Sequence, residues 1–136
     1  MTGYVKPLPV SDDISMPYWE ACRRHELVIQ RCRDCGIFRF PPASMCHNCH
    51  STQTEWVLAS GKGKVYSWIV VVHPVPKHVY DLEVPYVVAL VELEEGVRVP
   101  TNIVHCDPHR VQAGMPLEVI FDDVTSDVSL PKFQPV

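Results

Sequence analysis

The sequence lacks an apolar run long enough to cross a membrane. A spanning helix needs about 20 consecutive apolar residues, whereas the longest apolar runs, residues 68–72 and 84–91, have the length of single strands. The N-terminus also lacks the pattern of a secretory signal. We therefore expect a cytoplasmic protein, with no membrane partner, whose cysteine thiols stay reduced.

A nucleophile at a recognisable spacing from a general base is also missing. His105 and Cys106 are adjacent, but neighbours on a strand point to opposite faces, which separates the thiol from the imidazole. We interpret Cys106 as a buried structural cysteine and Cys22 as a small buried residue of a helix. The sequence therefore predicts a protein without catalytic residues of its own.

The chain also has no excess of positive charge, since it contains 12 Lys and Arg residues and 16 Asp and Glu residues, a net charge of −4. The charge is unevenly spread: residues 20–64 balance at +3, and residues 65–136 at −6. Proteins that bind single-stranded nucleic acid line their groove with positive charge and stacking aromatic side chains. The acidic C-terminal half therefore disfavours a nucleic-acid-binding module, although that class remains an alternative.

Four cysteines form the most informative pattern of the chain. Cys32 and Cys35 make one CxxC pair, and Cys46 and Cys49 make a second pair after ten intervening residues. Each CxxC turn directs two thiolates at one metal ion, so two turns complete a tetrahedron. This spacing predicts a closed, structural zinc site, with iron as the open alternative because four thiolates bind either metal.

Other roles for these cysteines fit less well. Disulfides do not persist in a reducing compartment, and a redox CxxC needs only one pair beside a βαβ pattern that is absent here. Gly36, directly after the first pair, suits the left-handed backbone of a metal knuckle, whereas His50 occupies the corresponding place after the second pair.

The remaining pattern predicts a mainly β protein in three segments. Residues 1–26 form an extended arm and a helix over residues 16–25 with Ser15 as its N-cap. Residues 27–60 form the zinc ribbon with three short strands at 27–31, 37–40 and 55–58. Residues 61–136 hold five strands at 64–73, 86–93, 97–104, 117–121 and 128–133, with a short helix over 108–113 that has Asp107 as its N-cap. Five strands with a helix between the third and fourth are typical of an OB-fold barrel.

Several ordered motifs resemble a known family of small proteins. They are Pro17-Tyr18-Trp19-Glu20, Gln30-Arg31-Cys32-Arg33-Asp34-Cys35-Gly36, Phe40-Pro41-Pro42, Gly61-Lys62-Gly63-Lys64-Val65-Tyr66-Ser67, Asn102-Ile103-Val104 and Leu130-Pro131-Lys132-Phe133. Together they cover the chain from about residue 16 to its end. In that family a short N-terminal helix, a rubredoxin-like zinc ribbon and an OB-fold occur together, and its members are associated with acyl-CoA metabolism.

The resemblance implies a role beside thiolase-superfamily enzymes, namely thiolases, acyltransferases, hydroxymethylglutaryl-CoA synthase or aldolases. The small protein then serves as an accessory subunit that helps form the acyl-CoA channel while the larger subunit performs the chemistry. A stand-alone acyl-CoA-binding protein is a further alternative, but a chain divided into ribbon and barrel leaves little interior for an acyl chain.

Two sets of residues follow as candidate contacts. The phosphates of coenzyme A favour basic side chains, which Arg33, Arg39, Lys62 and Lys64 offer, and its adenine favours a flat partner such as Trp68. Tyr18 and Trp19, on one face of the predicted helix, are the candidate partner-docking residues.

Overall fold

The computed structural model describes residues 4–136 and contains a small sheet, a closed barrel and short helices. The elements are α1 (Met16–Arg23), β1 (Val28–Cys32), β2 (Phe38–Arg39), β3 (Thr54–Leu58), β4 (Lys62–Val71), α2 (Lys77–Tyr80), β5 (Tyr86–Leu93), β6 (Arg98–Ile103), β7 (Pro116–Asp123) and β8 (Ser129–Pro135). The first three residues of the predicted arm lie outside the described residues. No helix within residues 4–136 combines the length and apolarity that crossing a membrane requires.

Helix α1 begins where predicted, but Ser15 does not cap it with its side chain. The carboxylate of Asp12 accepts the backbone N–H groups of Ile14 and Ser15 instead, at 3.1 and 2.7 Å. At the other end the helix stops two residues earlier than predicted, because His25 adopts a left-handed backbone with φ +60°. Ser15 thus occupies the N-cap position as predicted, although its side chain makes no capping hydrogen bond, and the helix itself is confirmed.

The ribbon is a three-stranded antiparallel sheet in the order β2-β1-β3. The central strand β1 pairs with β3 along its whole length, from Val28 opposite Leu58 to Cys32 opposite Thr54. Strand β2 is only two residues long and pairs through Gln30 opposite Arg39. So short a sheet has little core of its own, which makes the metal site and the contact with the barrel decisive for its stability.

The barrel closes in the order β4-β5-β6-β8-β7, with β7 returning to β4. Its ladders are antiparallel except between β6 and β8, which run parallel where Ile103 faces Phe133. A register shift between Val65 and Ser67 bends β4 so that it pairs with both β5 and β7. This arrangement confirms the predicted five-stranded OB-fold.

One hydrophobic core connects all three parts. Tyr18 and Cys22 of α1, Leu27 and Ile29 of the ribbon, and the inward side chains of the barrel belong to the same buried cluster. Outside the core, His25 Nε2 lies 2.8 Å from an oxygen of Asp123 and its ring stacks on Phe121. The helix is therefore fixed to the barrel by apolar contacts inside and by a polar contact at the surface.

Two local expectations differ from the structure. A single 3-10 turn at Pro108–Arg110 replaces the predicted helix over residues 108–113, while Asp107 accepts the N–H of His109 and so caps the turn as predicted. Cys106 is partly exposed rather than buried, because β6 ends at Ile103 and the chain bends before it. The connection between β4 and β5 contains the short helix α2.

Candidate metal centre and docking surfaces

The two CxxC turns have the same backbone hydrogen bonds. In the first, the N–H of Gly36 donates to the carbonyl of Cys32 and the N–H of Cys32 to that of Ile37, both at 2.9 Å. In the second, His50 N donates to the carbonyl of Cys46 at 3.0 Å, and Cys46 N donates to that of Ser51 at 2.9 Å. Two equivalent knuckles therefore face each other across the metal position.

The sulfur atoms of the quartet have the geometry of a tetrahedral site. All four lie within 4.8 Å of one another, and two pairs, Cys32 with Cys49 and Cys35 with Cys46, stand 3.6 Å apart. Ligands at the usual zinc–sulfur distance of about 2.3 Å are roughly 3.8 Å apart in a tetrahedron. The separations also exceed the disulfide bond length of about 2 Å. The four thiols fit one zinc ion.

Backbone N–H groups prepare part of this site for thiolates. The N–H of Cys35 points at Cys32 Sγ, at 3.5 Å, and together with the N–H of Asp34 and the thiols of Cys49 and Cys35 it lowers the pKa of the Cys32 thiol to about 6. The N–H groups of Cys49 and Asn48 lower the pKa of Cys46 in the same way. At Cys49 the N–H of Ser51 also favours the thiolate, but desolvation and the three neighbouring sulfurs outweigh it and raise the pKa. A divalent cation lets all four sulfurs ionise together.

The residue after each CxxC pair has a left-handed backbone, with φ +79° at Gly36 and φ +64° at His50. The two knuckles therefore differ in residue type at this position, glycine against histidine, but share the same backbone conformation. A side chain in this conformation costs about 1 kcal/mol relative to glycine.

We expect His50→Gly to raise the free energy of unfolding by about 1 kcal/mol, because it removes that strain. The matched variant is Gly36→Ala, where a new Cβ would meet only Arg31 Nη2 at 3.9 Å, so its backbone strain alone should lower stability by a similar amount. Urea denaturation of the zinc-loaded proteins measures both. Shifts of the same sign in the two variants would contradict equivalence of the knuckles.

Arg39, a candidate coenzyme A contact, is buried within the ribbon at 5% exposure. Its Nε donates to Gln30 Oε1 at 2.8 Å, and its Nη2 donates to the carbonyl of Ala43 and to Thr54 Oγ1. Gln30 Oε1 also accepts the N–H of Ala43. These bonds join β1, β2 and β3, so the first role of Arg39 is to hold the ribbon together.

The structure brings together only two of the five candidate coenzyme A residues. Lys62 and Lys64 are exposed and line the same open cavity of about 530 Å³ at the β4–β7 end of the barrel. Lys64 lies 3.6 Å from the carboxylate of Glu92, whereas Lys62 has no carboxylate partner in the part of the chain that the structure describes. Arg33 is exposed on the first knuckle, and Trp68 is partly buried against the barrel core.

The two candidate docking residues, Tyr18 and Trp19, also differ in their exposure to solvent. Tyr18 is 4% exposed and its ring contacts those of Trp19 and Phe40, with centroids 5.0 and 5.6 Å away. Burial leaves Tyr18 no surface for a partner and gives it the role of joining α1 to the ribbon. Trp19 is partly exposed and lines a cavity of about 250 Å³ with Met16 and Val128.

The structure contains a groove between the ribbon and the barrel that the sequence did not predict. Its volume is about 440 Å³, and it joins the chain around Arg39 and Met45 to the β5–β6 turn at Val97 and Arg98. More than 50 residues separate these two segments, and no local pattern relates them. Only the docking of the ribbon onto the barrel creates the groove.

Comparison with known proteins identifies both halves of the chain. Residues 19–55 match the family model described as ChsH2, rubredoxin-like zinc ribbon domain, and residues 56–122 match ChsH2, C-terminal OB-fold domain. A chain in the solved structure of an Ltp2-ChsH2(DUF35) aldolase superposes with a TM-score of 0.86 at 41% identity. The match covers 94% of this chain and 98% of that one.

Curated relatives carry several names. A probable enoyl-CoA hydratase alpha subunit of Thermomonospora curvata is 40% identical over 131 residues, 96% of this chain, which spans only 40% of that relative's length. The benzoylsuccinyl-CoA thiolase subunit BbsA of Geobacter metallireducens is 34% identical over 96 residues, 68% of this chain and 54% of the relative. A DUF35 domain-containing scaffold protein of Methanocaldococcus jannaschii is 42% identical over 105 residues, 76% of this chain and 73% of the relative. The chain therefore belongs to the DUF35 family, in which a ChsH2-type rubredoxin-like zinc ribbon is followed by an OB-fold.

Proposed function

We propose that this protein is a non-catalytic, zinc-containing accessory subunit of a thiolase-superfamily enzyme that acts on acyl-CoA thioesters. The observation that carries the proposal is the match over 98% of a chain from the aldolase structure, at 41% identity. A relative named as a thiolase subunit supports the same class of partner. Two relatives named as enoyl-CoA hydratase and pregnadiene-carboxyl-CoA hydratase alpha subunits share the CoA thioester as substrate class.

The chemistry of the described residues supports a non-catalytic role. Four thiolates fill the metal position, so a zinc ion there has no open site for substrate. His105 Nδ1 lies 2.6 Å from Gln134 Oε1, and Cys106 Sγ lies 3.4 Å from the carbonyl of Asp107. The most suggestive acid–base pair of the sequence thus has other partners. A cytoplasmic location, where thiols stay reduced, suits the quartet.

Contact with coenzyme A is part of the proposal, through the cavity that Lys62 and Lys64 line. An ammonium without a carboxylate partner, as at Lys62, is suited to a phosphate. Glu92 and Glu94 line the same cavity, so its charge is balanced rather than strongly positive. We therefore assign the ligand mainly to the partner enzyme, with this cavity forming one edge of a shared channel.

The docking surface of the proposal centres on α1 and the arm before it. Val10, Ile14 and Met16 are exposed at 92%, 39% and 41%, and Trp19 stands beside Met16 on the same cavity. We assign these exposed apolar side chains, together with Trp19, to the contact with the larger subunit.

Trp19→Ala should weaken binding to the larger subunit about 30-fold, because tryptophan is enriched among interface hot spots. Calorimetric titration of the zinc-loaded chain into the partner measures the effect. Leu58→Ala, which truncates a 64% exposed apolar side chain at the end of β3, serves as control. Equal affinity of Trp19→Ala and wild type would remove α1 from the interface.

The proposed function itself is tested by affinity purification of the tagged chain from its native host, followed by mass spectrometry and an assay of acyl-CoA turnover. A thiolase-superfamily protein in stoichiometric amount, active only with this chain present, is the expected result. Recovery of nucleic acid, or of the chain alone, would replace the proposal with the binding-module or stand-alone alternatives.

A further inference from the structure

The groove between ribbon and barrel has an unbalanced charge. Arg39, Arg98 and His47 contribute to its lining, and no carboxylate from the described part of the chain does. This is unusual in a chain of net charge −4, whose barrel half is acidic. The rest of the lining is apolar, with Phe40 and Met45 on the ribbon side and Val97 on the barrel side. The groove therefore combines positive charge with apolar walls.

Arg39 adds a second, independent observation. Its side chain is buried, and its Nη1 has no hydrogen-bond partner among the described residues 4–136. Three of its bonds go to neutral oxygens, and none of the carboxylates within residues 4–136 pairs with it. Lys132, another largely buried cation, follows the usual pattern, with Asp122 at 2.6 Å. A buried cation without a counter-ion is costly, since its charge has lost water and gained no anion.

Arg98 lies at the rim of the same groove. Its guanidinium carbon is 3.7 Å from the centre of the Tyr66 ring, and its Nε is 3.4 Å from Glu92 Oε2, a long contact. The side chain remains half exposed. The contact with Tyr66 thus holds the guanidinium in place, and its terminal N–H groups stay available to a further acceptor.

We propose that this groove binds an acidic segment of the larger enzyme subunit, in which an Asp or Glu stands beside an apolar side chain. The proposal rests on the proposed function for the identity of the partner. Nε and Nη2 of Arg39 already donate to other oxygens, so a carboxylate would accept a hydrogen bond from Nη1, which gains its counter-charge, and up to two from the terminal N–H groups of Arg98. The apolar neighbour covers Phe40 and the half-exposed Met45. Nη1 of Arg39 lies beneath the lining, so a side chain must move on binding, and the flexible thioether of Met45 allows this.

A peptide titration of the isolated, zinc-loaded chain tests the groove directly. The probes are acetyl-Leu-Glu-Leu-amide and its Gln counterpart, followed by shifts of backbone amide signals in ¹H–¹⁵N spectra. The Glu peptide should shift signals of residues 38–45 and 97–98 and bind at least about tenfold more tightly than the Gln peptide, because a hydrogen bond to a charged group is lost in the latter. Equal affinities, or shifts confined to other regions, overturn the proposal. Inorganic phosphate that shifts the groove signals when the Glu peptide does not would assign the groove to small anions and also overturn it.

Charge reversal in the complex provides the second test. Arg98→Glu should weaken binding to the purified larger subunit at least about tenfold, because a charge pair becomes a repulsion. Arg110→Glu changes the charge equally at an exposed arginine outside the groove and should change affinity less than about threefold. Assembly of the wild type with no difference between these variants overturns the groove assignment and leaves the proposed function standing. If the Glu peptide binds the groove but no enzyme subunit is recovered with the chain, the groove assignment stands and the proposed function fails.

Discussion

Cys32→Ser should lose the zinc ion and unfold the ribbon while the barrel keeps its strands. Cys32 is buried, contributes one of four sulfurs and ends β1, the central strand of the ribbon sheet. Metal binding contributes about 10–16 kcal/mol in isolated zinc-finger peptides, which is more than so short a sheet obtains from its own core. Metal analysis of the purified variant and hydrogen exchange resolved by segment measure the two effects separately.

The control for this prediction is Cys106→Ser, which removes a partly exposed thiol outside the quartet and should retain one zinc per chain. In Cys32→Ser, amides of β1 and β3 should exchange rapidly while those of β5 stay protected, because β5 pairs on both sides within the barrel. Full zinc occupancy in Cys32→Ser would contradict the ligand assignment. Loss of zinc with a protected β1 would show that contact with the barrel holds the ribbon without the metal.

Phe133→Ala should lower the free energy of unfolding of the barrel by about 3–5 kcal/mol. The side chain is fully buried and lies on β8, the strand that closes the barrel between β6 and β7. It faces Ile103 across the parallel ladder and Val119 across the antiparallel one. A cavity at this position removes contacts from both neighbours, and the surrounding strands cannot collapse into it without opening the closure.

Urea denaturation followed by tryptophan fluorescence measures this loss, with an unchanged dependence on urea concentration as the sign that only stability has altered. Leu82→Ala is the matched control, since this side chain is 96% exposed and its truncation should change stability by less than about 0.5 kcal/mol. A loss below about 1 kcal/mol in Phe133→Ala would mean that β8 contributes little to closure.

The sequence predicted the zinc quartet and the order of the eight strands because both depend on local spacing. Two CxxC turns contain the geometry of their knuckles within six residues each, and alternating apolar residues mark each strand wherever the fold places it. The left-handed backbone was predictable at Gly36 but not at His50, where only the hydrogen bonds around the second CxxC turn reveal it.

Which side chains are buried around the proposed docking surfaces was not predictable from local spacing. Tyr18 and Trp19 are neighbours on one helix, yet the first lies in the core and the second faces a cavity, because the ribbon and β8 cover only one side of α1. Arg39 has the charge of a phosphate ligand, but the register of β1 with β2 places it opposite Gln30 inside the ribbon. Helix face and strand register, not residue type, decided these positions.

The sequence by itself thus determined the metal ligands, the ribbon-and-barrel architecture and the family resemblance that comparison later bore out. Only the tertiary structure decided which basic and aromatic side chains are available to a ligand or a partner. The physical reason is distance along the chain: a knuckle closes within a few residues, whereas the groove beside Arg39 needs the β5–β6 turn to approach from more than 50 residues away. Such an approach is set by the packing of the whole core, to which α1, the ribbon and the barrel all contribute.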